Sequence, residues 1–476
     1  MSDDVQHLAT RAAAAAPLLA AMSAGERARM LSAIADALDA RADDLVAEAM
    51  RETALAEPRL RGELARTTTQ LRKFGAVVLE GSYLEATIDH ADADDVPPRP
   101  DLRRMLRPIG PVAVFAASNF PFAFSVAGGD TASALAVGCP VIVKAHSGHP
   151  ATSRLTAEIV TAALTAHAAP EGAFALVSGH DNGLALIDAE EIEAVAFTGS
   201  VAGGRAILDR CTARTRPIPF FGELGSLNPV IVTPAADAAR GEELAAGLAG
   251  SFQLGAGQFC TKPGLVLVPA ESRLAEALPG HVERSRPTLL TARIAEGFVE
   301  GRALATAVEG VRVLAGGDAP TAPTVLATDA SVLLANADVL LGEVFGPVTL
   351  LVSCADERER NRVIDALGGS LTATVHAEET DDLDAIVARL SSLAGRVLFA
   401  GWPTGVAVSW AQHHGGPWPA TNTQHTSVGA TAVRRFLRPI AFQDAPARVL
   451  PAELLDENPL GIPRRVDGRI ELPEHP

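Results

Sequence analysis

Two residues of the 476-residue sequence stand in settings that could support nucleophilic and acid–base chemistry. Cys260 follows the stretch Gly255-Ala-Gly-Gln-Phe, whose glycines allow a tight turn that could present the thiol to a cleft. Glu223 stands among apolar residues and glycines, where partial desolvation would raise its pKa and suit it to act as a general base. Each has an ordinary alternative, because cysteine is often a small core residue and a loop glutamate often forms a salt bridge. These two patterns alone leave both interpretations open.

Two further patterns suit a dinucleotide. The stretch Phe197-Thr-Gly-Ser-Val-Ala-Gly-Gly204 lies between a predicted strand and a predicted helix, and the amides at a helix N-terminus favour a pyrophosphate. Lys144 ends the apolar run Val141-Ile-Val, and the C-terminal ends of parallel strands border the crevice where ligands bind. Neither pattern is specific alone, since the sequence has no good copy of Gly-x-Gly-x-x-Gly and Lys144 could simply reach solvent.

The elements that must position these residues are predicted from apolar spacing. The first eighty residues favour helices, including 24–52 and 66–78, and an alternating strand at 83–89 precedes an acidic, proline-rich linker at 92–100. Beyond it, apolar runs alternate with helical stretches, and strands are predicted at 111–116, 140–144, 173–177, 193–197, 229–232, 344–354, 371–376 and 396–399. Helices are predicted at 125–137, 151–167 and 235–254 and from near residue 202. This alternation predicts parallel sheets covered on both faces, and the last sixty residues predict loops and edge strands.

The composition excludes several classes of partner. A formal net charge of −17 disfavours a nucleic acid or an anionic membrane surface. The uncharged stretch at 108–129 could span a bilayer by length, but its prolines, Asn119 and glycines favour a strand, a loop and the start of a helix. The acidic start is followed by no signal peptide, so we expect no membrane span and a cytoplasmic location.

The cysteines and the adjacent histidines give no metal-binding pattern. The four cysteines are widely separated and form no Cys-x-x-Cys pair, so neither a zinc site nor a disulfide framework is predicted. The three cysteines other than Cys260 are expected to be core residues, namely Cys139, Cys211 and Cys354. His413 and His414 have no metal-ligand spacing to partners and are expected to shape a loop.

Taken together and in chain order, the motifs resemble those of the aldehyde dehydrogenase superfamily. The resemblance runs from about residue 10 to 440. Its motifs are Asn119, Lys144, Gly199-Ser200, Glu223, Cys260 and Glu343-Val-Phe-Gly-Pro347. Because a chance match to all of them is not credible, the ordinary alternatives for the individual residues are superseded.

The resemblance implies an α/β fold with two doubly wound parallel-sheet domains and a small β oligomerisation element. The cofactor-binding domain is expected at 1–82 and 103–225, and the catalytic domain at 226–425. The oligomerisation element and C-terminal tail are expected at 83–102 and 426–476. A homodimer or homotetramer is expected from the resemblance alone.

The resemblance also implies a mechanism for a small aldehyde substrate. Cys260 corresponds to the nucleophile, and the oxyanion would be held by the Asn119 side chain and the Cys260 amide. Hydride would pass to NADP or NAD, and Glu223 would activate water to hydrolyse the thioester. Since relatives that transfer the acyl group to coenzyme A typically lack this base, hydrolysis is favoured. The thiol pKa is expected to fall once cofactor binds.

Cofactor contacts carry over to six positions. Lys144 matches a lysine that contacts the adenosine ribose, and Gly199 and Ser200 match a turn near the pyrophosphate and nicotinamide. Glu343 matches a glutamate on the nicotinamide ribose, and Phe345 matches a residue beside the nicotinamide ring. Ser147 stands where members that prefer NAD often carry an acid, which would repel a 2′-phosphate. Because Lys144 and His146 could attract a 2′-phosphate, we expect NADP to be accepted or preferred.

Departures from the common motifs indicate a subgroup. Ala117-Ser-Asn, Lys144-Ala145 and Glu223-Leu-Gly-Ser226 replace the usual Pro-Trp-Asn, Lys-Pro and Glu-Leu-Gly-Gly. With Gln258-Phe-Cys-Thr-Lys-Pro-Gly and His414-Gly-Gly-Pro-Trp-Pro, they resemble the 2,5-dioxovalerate (α-ketoglutarate semialdehyde) dehydrogenases, while fatty or general aliphatic aldehyde dehydrogenases using NADP share several of these features. A redox-inactive thiol esterase and a silent scaffold are further alternatives, which the retained motifs disfavour.

A carboxylated substrate would need a cationic clamp. Arg66, Gln70 and Arg72 lie on a predicted helix that could border the substrate tunnel, and Arg66 and Gln70 share one face of it. A solvated helix face is the alternative.

Overall fold

The N-terminal region of the chain is helical, as the sequence predicts. The computed structural model describes residues 2–285 and 287–473. Four helices come first: α1 (Ser2–Ala21), α2 (Ala24–Ala40), α3 (Ala42–Thr53) and α4 (Glu57–Glu80). The single helix predicted at 24–52 is two helices, because Arg41 leaves the helical region at φ −113° and ψ 21°. Helix α4 begins with a proline in its first turn and ends at Gly81, whose φ of 85° suits glycine.

Residues 87–223 contain the start of a small sheet and the first parallel sheet. The strands of the small sheet are β1 (Thr87–Asp89) and β2 (Leu102–Pro108). The parallel series is β3 (Val112–Phe115), α5 (Gly129–Val137), β4 (Val141–Lys144), α6 (Pro150–Ala166), β5 (Phe174–Val177), α7 (His180–Asp188), β6 (Ala194–Thr198), α8 (Val201–Ala213) and β7 (Phe220–Glu223). The strand order is β5-β4-β3-β6-β7, and all neighbours are parallel. The chain adds β4 and β5 on one side of β3 and then β6 and β7 on the other side. In such a doubly wound sheet, ligands bind where the strand order reverses, at the C-terminal ends of β3 and β6.

Residues 230–399 form the second sheet. Its elements are β8 (Val230–Val232), α9 (Pro234–Gln253), β9 (Leu265–Pro269), α10 (Arg273–Ala277), α11 (Ala292–Thr306), β10 (Arg312–Gly316), β11 (Thr324–Asp329), α12 (Ala330–Ala335), α13 (Ala337–Leu340), β12 (Val348–Cys354), α14 (Glu357–Ala366), β13 (Ser370–His376), α15 (Asp384–Leu393) and β14 (Ala394–Phe399). The order is β10-β11-β12-β9-β8-β13-β14, and only the edge strand β10 runs antiparallel to its neighbour. The predicted fold class, α/β with two doubly wound parallel sheets and a small β element, is confirmed.

The last strands complete the small sheet. They are β15 (Leu437–Gln443), β16 (Arg464–Val466) and β17 (Arg469–Glu471), and the sheet order is β15-β2-β1-β16-β17. The strand predicted at 83–89 is shorter, because Ser82–Leu84 forms a 3₁₀ turn. The division of the chain into domains and the role of this sheet in assembly stay predictions.

The two parallel sheets meet where the candidate chemistry lies. Glu223 ends β7 of the first sheet, and Cys260 lies between α9 and β9, before the N-terminal end of a strand of the second sheet. An isolated bridge between Glu223 and Thr421 brings the segment after β14 to the same place. Cys139, Cys211 and Cys354 are buried, as predicted. Within the described residues, no helix is both long and apolar enough to cross a membrane.

Candidate active site

The turn before Cys260 needs glycine. After α9, the residues Gly255, Ala256 and Gly257 all have positive φ angles, of 56°, 58° and 66°. A Cβ atom on Gly257 would lie 2.3 Å from the backbone carbon of Gly346, so the two backbones are in direct contact. This close approach places the half-buried Cys260 beside the Glu343-Val-Phe-Gly-Pro347 motif.

Asn228 holds the backbone on both sides of the nucleophile. Its side-chain amide donates to the carbonyl oxygens of Cys260 and Lys262, at 2.8 and 3.0 Å. Its own oxygen accepts a hydrogen bond from the Ser226 hydroxyl at 2.8 Å, and that hydroxyl accepts one from the Leu371 amide at 2.9 Å. Ser226, one of the departures from the common motif, therefore fixes the group that orients the cysteine loop.

Three side chains meet at the nucleophile. His414 Nε2 lies 3.5 Å from the Cys260 Sγ atom and 3.0 Å from Glu223 Oε1. The other Glu223 oxygen accepts a 2.5 Å hydrogen bond from the Ser427 hydroxyl. The sulfur, nitrogen and carboxylate atoms all lie within 4.8 Å of one another. These are atom types that can ligate a metal, but their hydrogen-bond contacts suit proton transfer between thiol, imidazole and carboxylate.

The environment sets the charge of both reactive groups. Burial tends to raise the pKa of Glu223, but the charge and hydrogen bond of His414, the Ser427 hydroxyl and the charge of Arg435 outweigh it, so its pKa lies below the ordinary value. The raised pKa expected from the sequence is therefore wrong, because these partners stabilise the carboxylate. Burial and the neighbouring Glu223 charge raise the pKa of the Cys260 thiol well above its usual value. The resting state is a neutral thiol beside a carboxylate.

Asn119 lies on the loop between β3 and α5, against the cysteine turn. Its side-chain amide donates to the Gln258 carbonyl at 3.1 Å, and Gln258 is in turn fixed by a 2.9 Å hydrogen bond from the Leu290 amide to its side chain. Asn119 is buried. The Asn119 amide is thereby held against Gln258, which stands two positions before Cys260 in the chain. The predicted oxyanion site requires a donor near this turn.

Lys262 joins the nucleophile loop to the segment that contains Glu343. Its buried ammonium group donates to the carbonyl oxygens of Val344 and Val348, at 3.0 and 2.9 Å. Burial lowers the pKa of Lys262 and desolvation raises that of Glu343, while the opposite charge of each residue opposes the shift of the other. Glu343 accepts a 3.3 Å hydrogen bond from the Ser226 amide, and Phe345 is half-buried beside it in the chain. Lys262 had no predicted role, although it stands in the Gln-Phe-Cys-Thr-Lys-Pro motif.

The dinucleotide candidates line the C-terminal edge of the first sheet. Ser200 caps α8 by accepting a hydrogen bond from the Gly203 amide at 3.2 Å, and Gly199 and Ser200 are both exposed. Lys144 is half-buried at the end of β4, and Ser147 is exposed in the following loop. An open helix N-terminus and a lysine on the same edge of the sheet fit a pyrophosphate and a ribose.

His146 does not supply positive charge to this edge. Burial, together with the charges of His149 and Lys144, lowers the pKa of His146 to about 4. Its Nδ1 atom accepts a hydrogen bond from the Gly148 amide at 3.0 Å. The imidazole is neutral at pH 7, so of the two expected attractants for a 2′-phosphate only Lys144 is cationic.

Of the three clamp candidates, only Arg66 approaches the nucleophile. Its guanidinium lies 5.4 Å from the centroid of the Phe124 ring, which is 6.5 Å from the His414 ring. The Nη2 atom of Arg66 is buried without a hydrogen-bond partner in the described part of the chain. Gln70 is buried one turn further along α4, close to Gly129 of α5.

The prediction for Arg72 is wrong. Arg72 binds Asp36 and Asp39 of α2, at 2.6 and 2.7 Å, in a solvent-exposed cluster. Six residues beyond Arg66, at 3.6 residues per turn, it points about 240° around the helix axis, away from the site.

The sequence interpretation missed His414, which was assigned to an ordinary loop. The residue is fully buried between the nucleophile and the carboxylate. The signal was available in the motif His414-Gly-Gly-Pro-Trp-Pro, but no local spacing connects residue 414 to residues 223 and 260. The contact depends on how the segment after β14 folds back over both sheets.

Comparison with known proteins identifies the class. The sequence profile described as "Aldehyde dehydrogenase family" matches residues 1–417, and the chain belongs to this family. It is 46% identical over 464 residues to alpha-ketoglutaric semialdehyde dehydrogenase 2 of Azospirillum brasilense, covering 94% of this chain and 87% of the relative. It is 42% identical over 456 residues to alpha-ketoglutaric semialdehyde dehydrogenase of Acinetobacter baylyi, covering 93% and 87%.

Solved structures support the same fold. Aldehyde dehydrogenase 21 from Physcomitrella patens, in complex with the reaction product succinate, superposes with a TM-score of 0.79 at 23% identity, over 94% of this chain and 92% of that one. PnpE in complex with nicotinamide adenine dinucleotide gives a TM-score of 0.78 at 22% identity, over 94% and 91%. The activity follows from the family membership and the two curated relatives: the chain is an NAD(P)-dependent oxidoreductase that acts on an aldehyde.

Replacement of Ser427 by alanine should move the acid limb of the kcat profile to higher pH. Loss of its hydrogen bond raises the pKa of Glu223, so the carboxylate is protonated, and lost as a base, at a higher pH than in the wild type. The shift should be roughly one pH unit, because a hydrogen bond to a charged group contributes about 1.5–3 kcal/mol and about 1.4 kcal/mol corresponds to one pKa unit. The measurement is kcat with saturating substrates from pH 5 to 9.

Ser409→Ala is the matched control, since Ser409 is exposed on the segment that leads to His414. Its profile should overlay that of the wild type. An acid limb that stays in place in Ser427→Ala would mean that Glu223 does not limit turnover at low pH.

Proposed function

We propose that the protein oxidises α-ketoglutarate semialdehyde to α-ketoglutarate, with NADP or NAD, through a thioester on Cys260 that is hydrolysed with Glu223 as base. The observation that supports this best is the contact of Cys260, His414 and Glu223 near Arg66, whose buried Nη2 atom lacks a hydrogen-bond partner within the described residues. The names of the two curated relatives support the choice of substrate.

The first step is attack of the Cys260 sulfur on the aldehyde carbon. Because the thiol is neutral at rest, its proton must leave, and the acceptor is the Glu223 carboxylate, an oxygen of which lies within 4.8 Å of the sulfur. His414 Nε2 contacts the sulfur and donates a hydrogen bond to this carboxylate at 3.0 Å, so it orients the acceptor. The proton moves from sulfur to Glu223 as the C–S bond forms, and it passes to solvent before Glu223 acts as base in the second half of the reaction. The Asn119 amide and the Cys260 backbone amide then stabilise the oxyanion, and each such donor commonly contributes about 3 kcal/mol.

When bound, NADP or NAD would supply the hydride acceptor that the oxidation at Cys260 requires. Gly199 and Ser200 at the start of α8 suit the pyrophosphate, and Lys144 suits the adenosine ribose. Glu343 suits the nicotinamide ribose, with Phe345 beside the ring. Lys262 keeps the backbone of this last segment in place relative to Cys260.

The second half of the reaction is hydrolysis. With the pKa of Glu223 lowered by His414 and Ser427, the side chain is a carboxylate at neutral pH and can accept a proton from water. The hydroxide equivalent adds to the thioester, the C–S bond breaks, and the sulfur regains a proton. The product is the free acid.

The substrate assignment depends on Arg66. Arg66 is half-buried and its Nε atom donates to the Val406 carbonyl at 3.4 Å, but its Nη2 atom is buried without a partner in the described residues. An unpaired buried nitrogen is costly, and a carboxylate is the natural bidentate partner of a guanidinium. Its charge opposes the rise in the pKa of Cys260, which places it electrostatically near the reacting sulfur. The alternative, a fatty or general aliphatic aldehyde, is favoured by a cluster of phenyl rings next to Asn119 and Cys260, in which the Phe120 centroid lies 5.4 Å from that of Phe124 and 5.3 Å from that of Phe259.

We also propose assembly into a homodimer or homotetramer in the cytoplasm. The outer strand β17 of the small sheet carries Ile470, which is 66% exposed, and Leu472 just beyond it is 73% exposed. An apolar strand edge of this kind pairs readily with another strand.

For the wild-type enzyme, we expect kcat/KM for α-ketoglutarate semialdehyde to exceed that for pentanal and for C6 to C14 aldehydes. Arg66→Gln should raise KM for the semialdehyde roughly tenfold to hundredfold, because a hydrogen bond to a charged group contributes about 1.5–3 kcal/mol. Its KM for pentanal should change little. Reduced cofactor is followed at 340 nm.

Arg72→Gln is the control for Arg66→Gln, since the same substitution on the same helix removes an exposed arginine bound to Asp36 and Asp39. Faster turnover of long aldehydes by the wild type would move the protein to the aliphatic group. An unchanged KM in Arg66→Gln would contradict the clamp.

For the cofactor, we expect NADP to be accepted, and Ser147→Glu to lower kcat/KM for NADP at least tenfold while that for NAD changes little. An acid at this exposed position would repel the 2′-phosphate, and about 1.4 kcal/mol of repulsion corresponds to a factor of ten. Ser147→Gln adds the same bulk without charge and should behave as the wild type does. A preference of the wild type for NAD of more than tenfold would contradict this expectation.

A further inference from the structure

Helix α4 holds the loop that contains Asn119. Arg59 Nη2 donates to the Asn119 carbonyl at 2.6 Å. Glu63, four residues further along α4, accepts hydrogen bonds from the Phe122 and Ala123 amides at 2.8 and 3.0 Å. Residues four apart share a helix face, so both ends of the segment 119–123 are bound to one face of α4.

Arg59 also contacts the nucleophile loop. The centre of its guanidinium lies 5.1 Å from the centroid of the Phe120 ring and 4.9 Å from that of the Phe259 ring. Phe120 directly follows Asn119, and Phe259 directly precedes Cys260. The two rings meet edge to face, at 5.3 Å and 89°. A planar guanidinium can pack on both rings at once, and a lysine ammonium cannot reproduce this.

The position is costly for a cation. The Nε and Nη1 atoms of Arg59 are buried and lack a hydrogen-bond partner in the described ranges 2–285 and 287–473. Burial lowers the pKa of Arg59, with the Glu63 charge opposing it. A guanidinium with two buried nitrogens that lack hydrogen bonds contributes little to stability. Such unfavourable arrangements occur at functional sites.

We propose that Arg59 is a positioning residue that fixes the Asn119 amide relative to Cys260, so that both oxyanion donors face one point. This inference rests on the proposed function, in which Asn119 and the Cys260 amide stabilise the oxyanion. Arg59 itself acts through the Asn119 carbonyl and the two phenyl rings. Its loss should therefore lower kcat through Asn119 and leave the thiol itself reactive.

The test is a double-mutant cycle with Arg59→Gln, Asn119→Ala and the double variant, using the full-length enzyme. Asn119→Ala should lower kcat roughly 100- to 1,000-fold, as removal of an oxyanion donor does. Arg59→Gln should lower it roughly tenfold to hundredfold, the effect of a small misplacement. The double variant should be no slower than Asn119→Ala, because Arg59 has nothing left to position. Cys260 alkylation by iodoacetamide, which needs no oxyanion donor, should proceed at the wild-type rate in Arg59→Gln.

Arg61→Gln is the matched control, since Arg61 is an exposed arginine on α4 that pairs with Glu57 and Asp43, and its kcat should equal that of the wild type. If Arg59→Gln unfolds, the cycle is run with Arg59→Lys, which keeps the charge but loses the planar contacts and should also be slow. Multiplicative losses in the double variant would overturn the positioning role. An unchanged kcat in Asn119→Ala would contradict the proposed oxyanion site, and this inference with it.

Discussion

The buried carboxylate of Glu223 is the constraint on which the site depends. It stands at the end of β7 in the first sheet, yet its two oxygens are bound by His414 and Ser427, which belong to the segment after the second sheet. A carboxylate that is buried away from water is stable only if both of its oxygens accept hydrogen bonds from the protein. The same hydrogen bonds that keep it ionised therefore also hold the C-terminal segment over the nucleophile. Without that segment, Glu223 would be a buried charge without partners and Cys260 would lose its neighbouring imidazole.

A second set of contacts fixes the loop that carries Cys260 relative to the rest of the second sheet. Asn228 and Lys262 both bind backbone carbonyls, the first around Cys260 and the second at Val344 and Val348. Since side chains bonded to the backbone do not depend on the identity of the residues that they hold, they can fix a loop whose own side chains are reserved for chemistry. The close approach of the Gly257 backbone to Gly346 adds a steric reason for glycine at position 257, and the Phe298 ring gives one at position 346.

The sequence predicts the parallel sheets well, because short apolar runs that alternate with helices have few other solutions. It also predicts the nucleophile and the base, which lie in long, specific motifs. The sequence interpretation fails where the role of a residue depends on distant segments. His414 was predicted to be an ordinary loop residue, but it contacts Cys260. Arg72 was predicted to act with Arg66, but it binds Asp36 and Asp39 on another helix. The predicted direction of the Glu223 pKa shift is wrong for the same reason, because the Ser427 hydroxyl that stabilises the carboxylate is 204 residues away in the sequence. The departure at Ala145 has a local reason that only the structure shows: its amide donates to the Val177 carbonyl at 2.8 Å, which a proline could not do.

The central claim is that Glu223 serves the hydrolysis of an acyl group held on Cys260. The most direct test is Glu223→Gln, which keeps the size of the side chain and removes the base, while His414 Nε2, no longer bonded to a carboxylate, is the proton acceptor that remains beside the thiol. Incubation with excess NADP or NAD and α-ketoglutarate semialdehyde should give about one equivalent of reduced cofactor per active site, with the corresponding acyl mass on the Cys260 peptide after acid quench. Continued turnover beyond one equivalent, or reduced cofactor with no acyl group on Cys260, would contradict the account.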